Sequence, residues 1–163
     1  MTQPSFSMDQ IAWKILEALQ EDGRLSFAEL GRRVGLSTPA AAERVRRLEE
    51  AGIITGYHAS VNLAKLGLPL LVFVRMTVSG GGNPMVGVVN AAKLMPEVIE
   101  CHRVTGQDSY ILKAQLSSVA HLEALINRLY PLGATTTCTV LSSPIQRRDI
   151  SSKDLENFHL RGF

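Results

Sequence analysis

Strong charge of one sign is missing from this chain. Its 163 residues carry a net charge of only +2, so bulk electrostatics does not by itself designate a nucleic-acid partner. Cysteine is scarce: Cys101 and Cys138 are the two present. They form no metal-spaced pair and no secretory signal precedes the first apolar segment, so free thiols in a reducing cytoplasm are expected. His58, His102, His121 and His159 lack ligand spacing, which argues against a metal site. An uncharged stretch runs from Met76 to Ala92, yet it holds Ser79-Gly80-Gly81-Gly82-Asn83-Pro84, which no membrane helix carries. The same glycines lack the lysine and serine of a phosphate loop and read as a flexible turn. No nucleophile–base pair or carboxylate pair stands out, so neither catalytic residues nor a cofactor are expected. What is present, 45% hydrophobic and 20% charged residues, predicts a packed globule of one medium or two small domains.

Charge is unevenly distributed. Residues 9–22 hold Lys14 against four acids, whereas residues 24–47 hold six arginines against Glu29 and Glu43. Three short helices span the same region. Ser7-Met8-Asp9-Gln10 reads as a capping box with Ser7 as the cap, and Ile11, Ile15 and Leu19 then form an apolar stripe with Leu16 beside it. Asp22-Gly23 ends that helix. Ser26-Phe27-Ala28-Glu29 is a second capping box, with Leu30 and Val34 on the apolar face and Gly35 past the end. Ser37 caps a third helix that tolerates Pro39 in its first turn and buries Ala41, Val45 and Leu48. Gly52 stops it. Only Gly35 and Leu36 separate the second helix from the third cap, which is the spacing of a helix-turn-helix.

At 100° per residue, the buried side of the third helix fixes its outer side. Pro39, Glu43, Arg46 and Arg47 point outward, and Ser37 and Thr38 sit at the amide-rich start that favours phosphate. This face offers arginines for guanine edges or phosphates and a glutamate for cytosine. Arg32, with Arg24 and Arg33, adds candidate backbone contacts. Arg44 is included in the candidate interface, although it lies near the core boundary, where pairing with Glu29 or Glu49 is the alternative. Beyond the third helix, Ile53-Ile54 and residues 57–63 read as extended, either a small wing or a strand leading out. Residues 64–69, with Gly67, read as a linker.

The second segment has another rhythm. Residues 70–78 form a strongly apolar strand, and Asn83 and Pro84 start a helix over residues 85–95. Strands at 98–104 and 109–116 flank a tight Thr105-Gly106-Gln107-Asp108 turn. A helix over 119–130 and a threonine-rich strand over 134–141 follow. Strand, helix, strand, strand, helix, strand is the ferredoxin-like βαββαβ pattern. The expected class is α+β: a winged helix-turn-helix domain at 1–63, a ferredoxin-like domain at 64–143 and a polar tail at 144–163. In the first strand Leu70, Val72, Val74 and Met76 alternate with Leu71, Phe73 and Arg75. Both faces are thus largely apolar, as in a sheet that dimerises, the alternative being an ordinary central strand buried by the two helices. Two recognition helices reading two half-sites also call for a homodimer.

Asp22-Gly23-Arg24-Leu25-Ser26, Glu29-Leu30-Gly31, Val34-Gly35-Leu36-Ser37, Arg44-Val45-Arg46-Arg47-Leu48-Glu49 and Gly52-Ile53-Ile54-Thr55-Gly56-Tyr57 together closely resemble the leucine-responsive and asparagine regulators, the Lrp/AsnC family. The resemblance covers nearly the whole chain, with Ala12 and Ala41 as departures where the family often has an acid and a valine. It implies a cytoplasmic transcriptional regulator of duplex DNA, modulated by a small effector such as an amino acid, and assembling through homodimers to higher oligomers such as octamers. Read from its residues alone, 104–110 is a hairpin turn. The resemblance makes Thr105, Gly106, Gln107, Asp108 and Tyr110 the effector loop, with Thr135, Thr137 and Thr139 lining the pocket. The alternative is a small-molecule sensor whose helix-turn-helix docks a protein instead of DNA.

Overall fold

The computed structural model describes residues 8–78 and 84–160. The chain divides into two compact units: Met1–Ser60 together with Ile145–Phe163, and Val61–Pro144. The expected boundary at 63 therefore moves three residues earlier, and the tail belongs to the first unit.

In the first unit, α1 (Gln10–Glu21), α2 (Phe27–Val34) and α3 (Thr38–Glu50) close around Ala12, Ile15, Leu30, Val34, Val45 and Leu48. Ser26 and Ser37 are the caps their spacing predicts, accepting from the amides of Glu29 and Ala40. Gly35 ends α2 with φ of 76°, the left-handed conformation glycine adopts without penalty. The first cap differs from expectation. Asp9, not Ser7, caps α1, accepting from the Ala12 amide at 2.7 Å, while Ser7 itself lies outside the described residues. Asp9 also takes the Arg44 guanidinium at 2.7 Å, so one carboxylate both caps α1 and ties it to α3.

Gly31 sets how tightly the two reading helices close. A Cβ there would stand 2.6 Å from the Leu36 carbonyl oxygen, and the Leu36 amide donates to the Gly31 carbonyl at 2.8 Å. The expected wing is absent: residues 55–62 form no strand. The linker expected over 64–69 starts earlier, as a 3-10 turn at Leu63–Leu66 that Gly67 ends.

The tail is neither unstructured nor solvated throughout. It forms α6 (Ser152–Leu160) against α1. The Gln20 carboxamide donates to the Ile150 carbonyl at 2.9 Å and accepts from the Ile150 amide at 3.1 Å. Glu17 accepts from the Ser152 amide. Trp13 and Leu155 line a shared open cleft of about 600 Å³. A chain ending at Pro144 is therefore expected to expose Trp13 further and to red-shift its fluorescence. Trp13 is the only tryptophan, so an unchanged emission spectrum would count against the docked tail.

The second unit is a four-stranded antiparallel sheet in the order β2-β3-β1-β4, built from β1 (Leu70–Thr77), β2 (Val98–Arg103), β3 (Tyr110–Leu116) and β4 (Ala134–Thr139). Helices α4 (Pro84–Lys93) and α5 (Val119–Leu129) complete the ferredoxin-like order; the expected cap Asn83 lies outside the described residues. Val72, Val74 and Met76 pack with Leu112, Ala114, Leu116, Val88, Leu125 and Leu129 in one core. The alternate residues Leu71, Phe73 and Arg75 lie half-buried. No helix among the described residues is long and apolar enough to cross a membrane.

Candidate nucleic-acid interface and effector loop

The exposed side of α3 carries the arginines expected of it, but each is already engaged. Arg46 donates to both oxygens of Glu43, at 2.8 and 2.9 Å, and also pairs with Glu50. Arg47 reaches the same Glu43 at 2.8 Å. On α2, Glu29 holds Arg32 at 2.6 Å and Arg33 at 3.3 Å. These pairs follow the i,i+3 and i,i+4 rows of a helix. The hydrogen bonds from Arg46 and then Arg47 hold the Glu43 carboxyl down at about 2, and those from Arg32 and Arg33 do the same for Glu29. Ser37, Thr38 and Pro39 are exposed at the start of α3, where short side chains leave the helix amides approachable.

Arg44 leaves this set. Its guanidinium pairs with Asp9 rather than with Glu29 or Glu49, and its side chain is the least exposed of the paired α3 arginines at 33%. It joins α1 to α3 instead of facing outward. Spacing alone did not reveal this, because its partner lies 35 positions away.

The loop between β2 and β3 presents Thr105, Gly106 and Gln107 to solvent. Gly106 has φ of 113°, a conformation that L side chains rarely adopt. The loop is stitched to the end of β1: the Ser109 amide donates to the Met76 carbonyl at 2.7 Å, and the Thr77 hydroxyl donates to the Gln107 carbonyl. Asp108 is half-buried and bound to the Arg75 guanidinium at 2.8 Å. Arg75 was not among the expected effector residues. The signal was a lone charge in an otherwise apolar strand, Leu-Leu-Val-Phe-Val-Arg-Met-Thr.

The remaining expected effector residues are not gathered with the loop. Tyr110 is 3% exposed and belongs to the core, and its buried hydroxyl has no hydrogen-bond partner among the described residues. Thr135, Thr137 and Thr139 stand opposite Met76, Val74 and Val72. They therefore share the helix-covered face, whereas Asp108 meets Arg75 on the other. Thr135 lies at the loop end of β4, and Thr139 is about 13 Å farther along the strand. Thr137 and Thr139 remain exposed at the sheet edge. Within one chain, then, the loop and the threonine run do not line a common pocket.

Similarity to known proteins follows the same division. Residues 8–49 match the AsnC-type helix-turn-helix domain, and residues 71–150 match the Lrp/AsnC ligand binding domain. The leucine-responsive regulatory protein of Salmonella typhimurium is 40% identical over 144 residues, spanning 85% of this chain and 88% of the relative. The structure of Bacillus subtilis LrpC superposes with a TM-score of 0.79 at 36% identity, covering 87% of this chain and all of LrpC. A Neisseria meningitidis transcriptional regulator solved in complex with L-methionine gives 0.83 at 28% identity, covering 91% and 99% of the two chains. With an AsnC-type helix-turn-helix ahead of a ligand-binding sheet domain, this chain belongs to the Lrp/AsnC family of DNA-binding transcriptional regulators and not to a family of enzymes.

Proposed function

We propose that this protein is a cytoplasmic, amino-acid-responsive regulator that contacts duplex DNA through Ser37, Thr38, Pro39, Arg46 and Arg47, with Arg32 on the phosphate backbone. The observation that carries the DNA reading is the capped, arginine-bearing outer face of α3. The AsnC-type match at residues 8–49 favours duplex DNA over a protein dock. Two recognition helices require two chains, and the half-buried Leu71 and Phe73 on the second face of β1 favour a homodimer, with octamers as the larger assembly.

The effector reading rests on Asp108 and Arg75. Together they present both charges that an α-amino acid complements, beside the exposed amides of Thr105, Gly106 and Gln107. Thr135, Thr137 and Thr139 serve an effector only across an interface with another copy. No separate cofactor is assigned. An effector must favour one DNA-binding or assembly state, since equal affinity shifts nothing.

Thermal-shift measurement against the twenty amino acids tests this reading. A cognate ligand at about 100 times its Kd adds about 2.7 kcal/mol of stability. Asp108→Ala is expected to abolish the shift. A full shift in that variant would reject the loop as the ammonium site, and no shift with any amino acid in the parent chain would reject the effector class.

A further inference from the structure

Counterions already sit on the reading face. The three α3 arginines, Arg44, Arg46 and Arg47, are balanced by Glu43, Glu49 and Glu50, so this helix has no net charge. Glu43 is the central partner, because its two oxygens take three hydrogen bonds from Arg46 and Arg47. Its side chain is 43% exposed, and those of the two arginines are 54% and 58% exposed. The pairs therefore stand in water, where such contacts are weak and exchangeable. The carboxyl, held at about 2 by Arg46 and then Arg47, stays ionised at neutral pH, so proton uptake does not release the arginines. Displacement by another anion or acceptor does.

Duplex DNA offers two such competitors: phosphates everywhere, and guanine edges only in particular sequences. We propose that Glu43 is a specificity-determining residue which acts by withholding Arg46 and Arg47 from random DNA, rather than by reading a cytosine. On a random duplex a phosphate contact must displace the Glu43 carboxylate, which holds Arg46 through two hydrogen bonds and Arg47 through one, for little net gain, and the arginines stay on Glu43. At an operator, base contacts and phosphate contacts together favour the exchange. Glu29 on α2 likewise pairs with Arg32 and Arg33, and Glu21 of α1 pairs with Arg33 as well, so the paired arginines of both helices of the motif carry carboxylate counterions. The inference deepens the DNA reading above and rests on it.

The test is fluorescence anisotropy with two duplexes of equal length, one from the upstream region of the protein's own gene and one of scrambled sequence, over a range of salt. Glu43→Gln is compared with Glu49→Gln. Glu49 bonds the Tyr57 hydroxyl and touches neither Arg46 nor Arg47, so its replacement removes the same charge without freeing them. For Glu43→Gln the scrambled duplex is expected to bind roughly tenfold more tightly, with a log–log salt slope steeper by about 0.9 for each phosphate gained. The preference for the upstream duplex is expected to shrink. Glu49→Gln is expected to leave the slope unchanged. Equal effects from the two variants would overturn the gate in favour of bulk charge. Loss of upstream binding alone in Glu43→Gln would overturn it in favour of cytosine readout. If the parent chain bound neither duplex even at low salt, the DNA reading itself would fail and the gate with it.

Discussion

Replacing Gly133 by alanine is expected to lower the melting temperature of the second unit by roughly 8 °C or more. Gly133 precedes β4 with φ of 155°, and a Cβ there would lie 2.5 Å from the Thr77 carbonyl oxygen and 3.3 Å from its carbon. Both obstacles are backbone, and Thr77 is held in register with Ala134 by the β1–β4 ladder, so no side chain can swing away. The strained dihedral contributes about 1–3 kcal/mol and the overpacking a similar amount. At about 4–8 °C per kcal/mol for a domain of this size, the sum is a large shift. Gly35 supplies the contrast. Its φ is also positive, but nothing lies within 4 Å of where a Cβ would stand, so Gly35→Ala meets only the dihedral cost. Because the chain has two units, calorimetry is expected to show two transitions rather than one. Trp13 belongs to the first unit, so its fluorescence transition is expected to stay in place while the other moves. An unmoved second transition would show that β1 and β4 separate at this corner.

What the sequence made legible was local. Ser26 and Ser37 each stand one residue before a helix and three before the amide they accept, so spacing alone identified them. Gly35, the β2–β3 turn and the strand order were readable for the same reason: neighbouring residues decide them. The misses share another cause. Ser7 and Asp9 are both good caps two positions apart, and Asp9 prevails with a second partner, Arg44, that only the folded chain supplies. The resemblance places the β4 threonines at the effector pocket, but it says nothing of register, and register determines that within one chain they face away from Arg75 and Asp108. Asp108 finds Arg75 across 33 positions, which no local pattern encodes. The tail did leave a trace. Trp13 stands on the side of α1 away from its core stripe, and a large apolar side chain there needs a neighbour of its own. The pairing of Glu43 with Arg46 and Arg47 was also open to reading at i,i+3 and i,i+4; viewing each residue as a separate DNA contact hid it.

Changing Arg46 and Arg47 together to alanine is expected to weaken binding to the upstream duplex at least about 30-fold, since each good arginine–base contact is worth about 1–3 kcal/mol. The expectation is specific because the two guanidiniums are the most exposed cations on α3 and meet only glutamates of their own helix. Their removal leaves Ala41, Val45 and Leu48 packed as before, and alanine is the best helix former, so melting temperature is expected to hold while affinity falls. Each lost phosphate contact also flattens the salt dependence by about 0.9 in log–log slope, and a lost base contact does not, so titration at several salt concentrations assigns the arginines to backbone or bases. Arg44→Ala is the necessary comparison. That side chain holds Asp9 at the start of α1, so its loss is expected to cost stability of the first unit with little change in affinity. If Arg44→Ala instead abolished binding while the double variant bound normally, the outward face of α3 would have been drawn about one residue out of phase, near 100°. Asp9 would then be a counterion on the DNA side and not a strut between two helices.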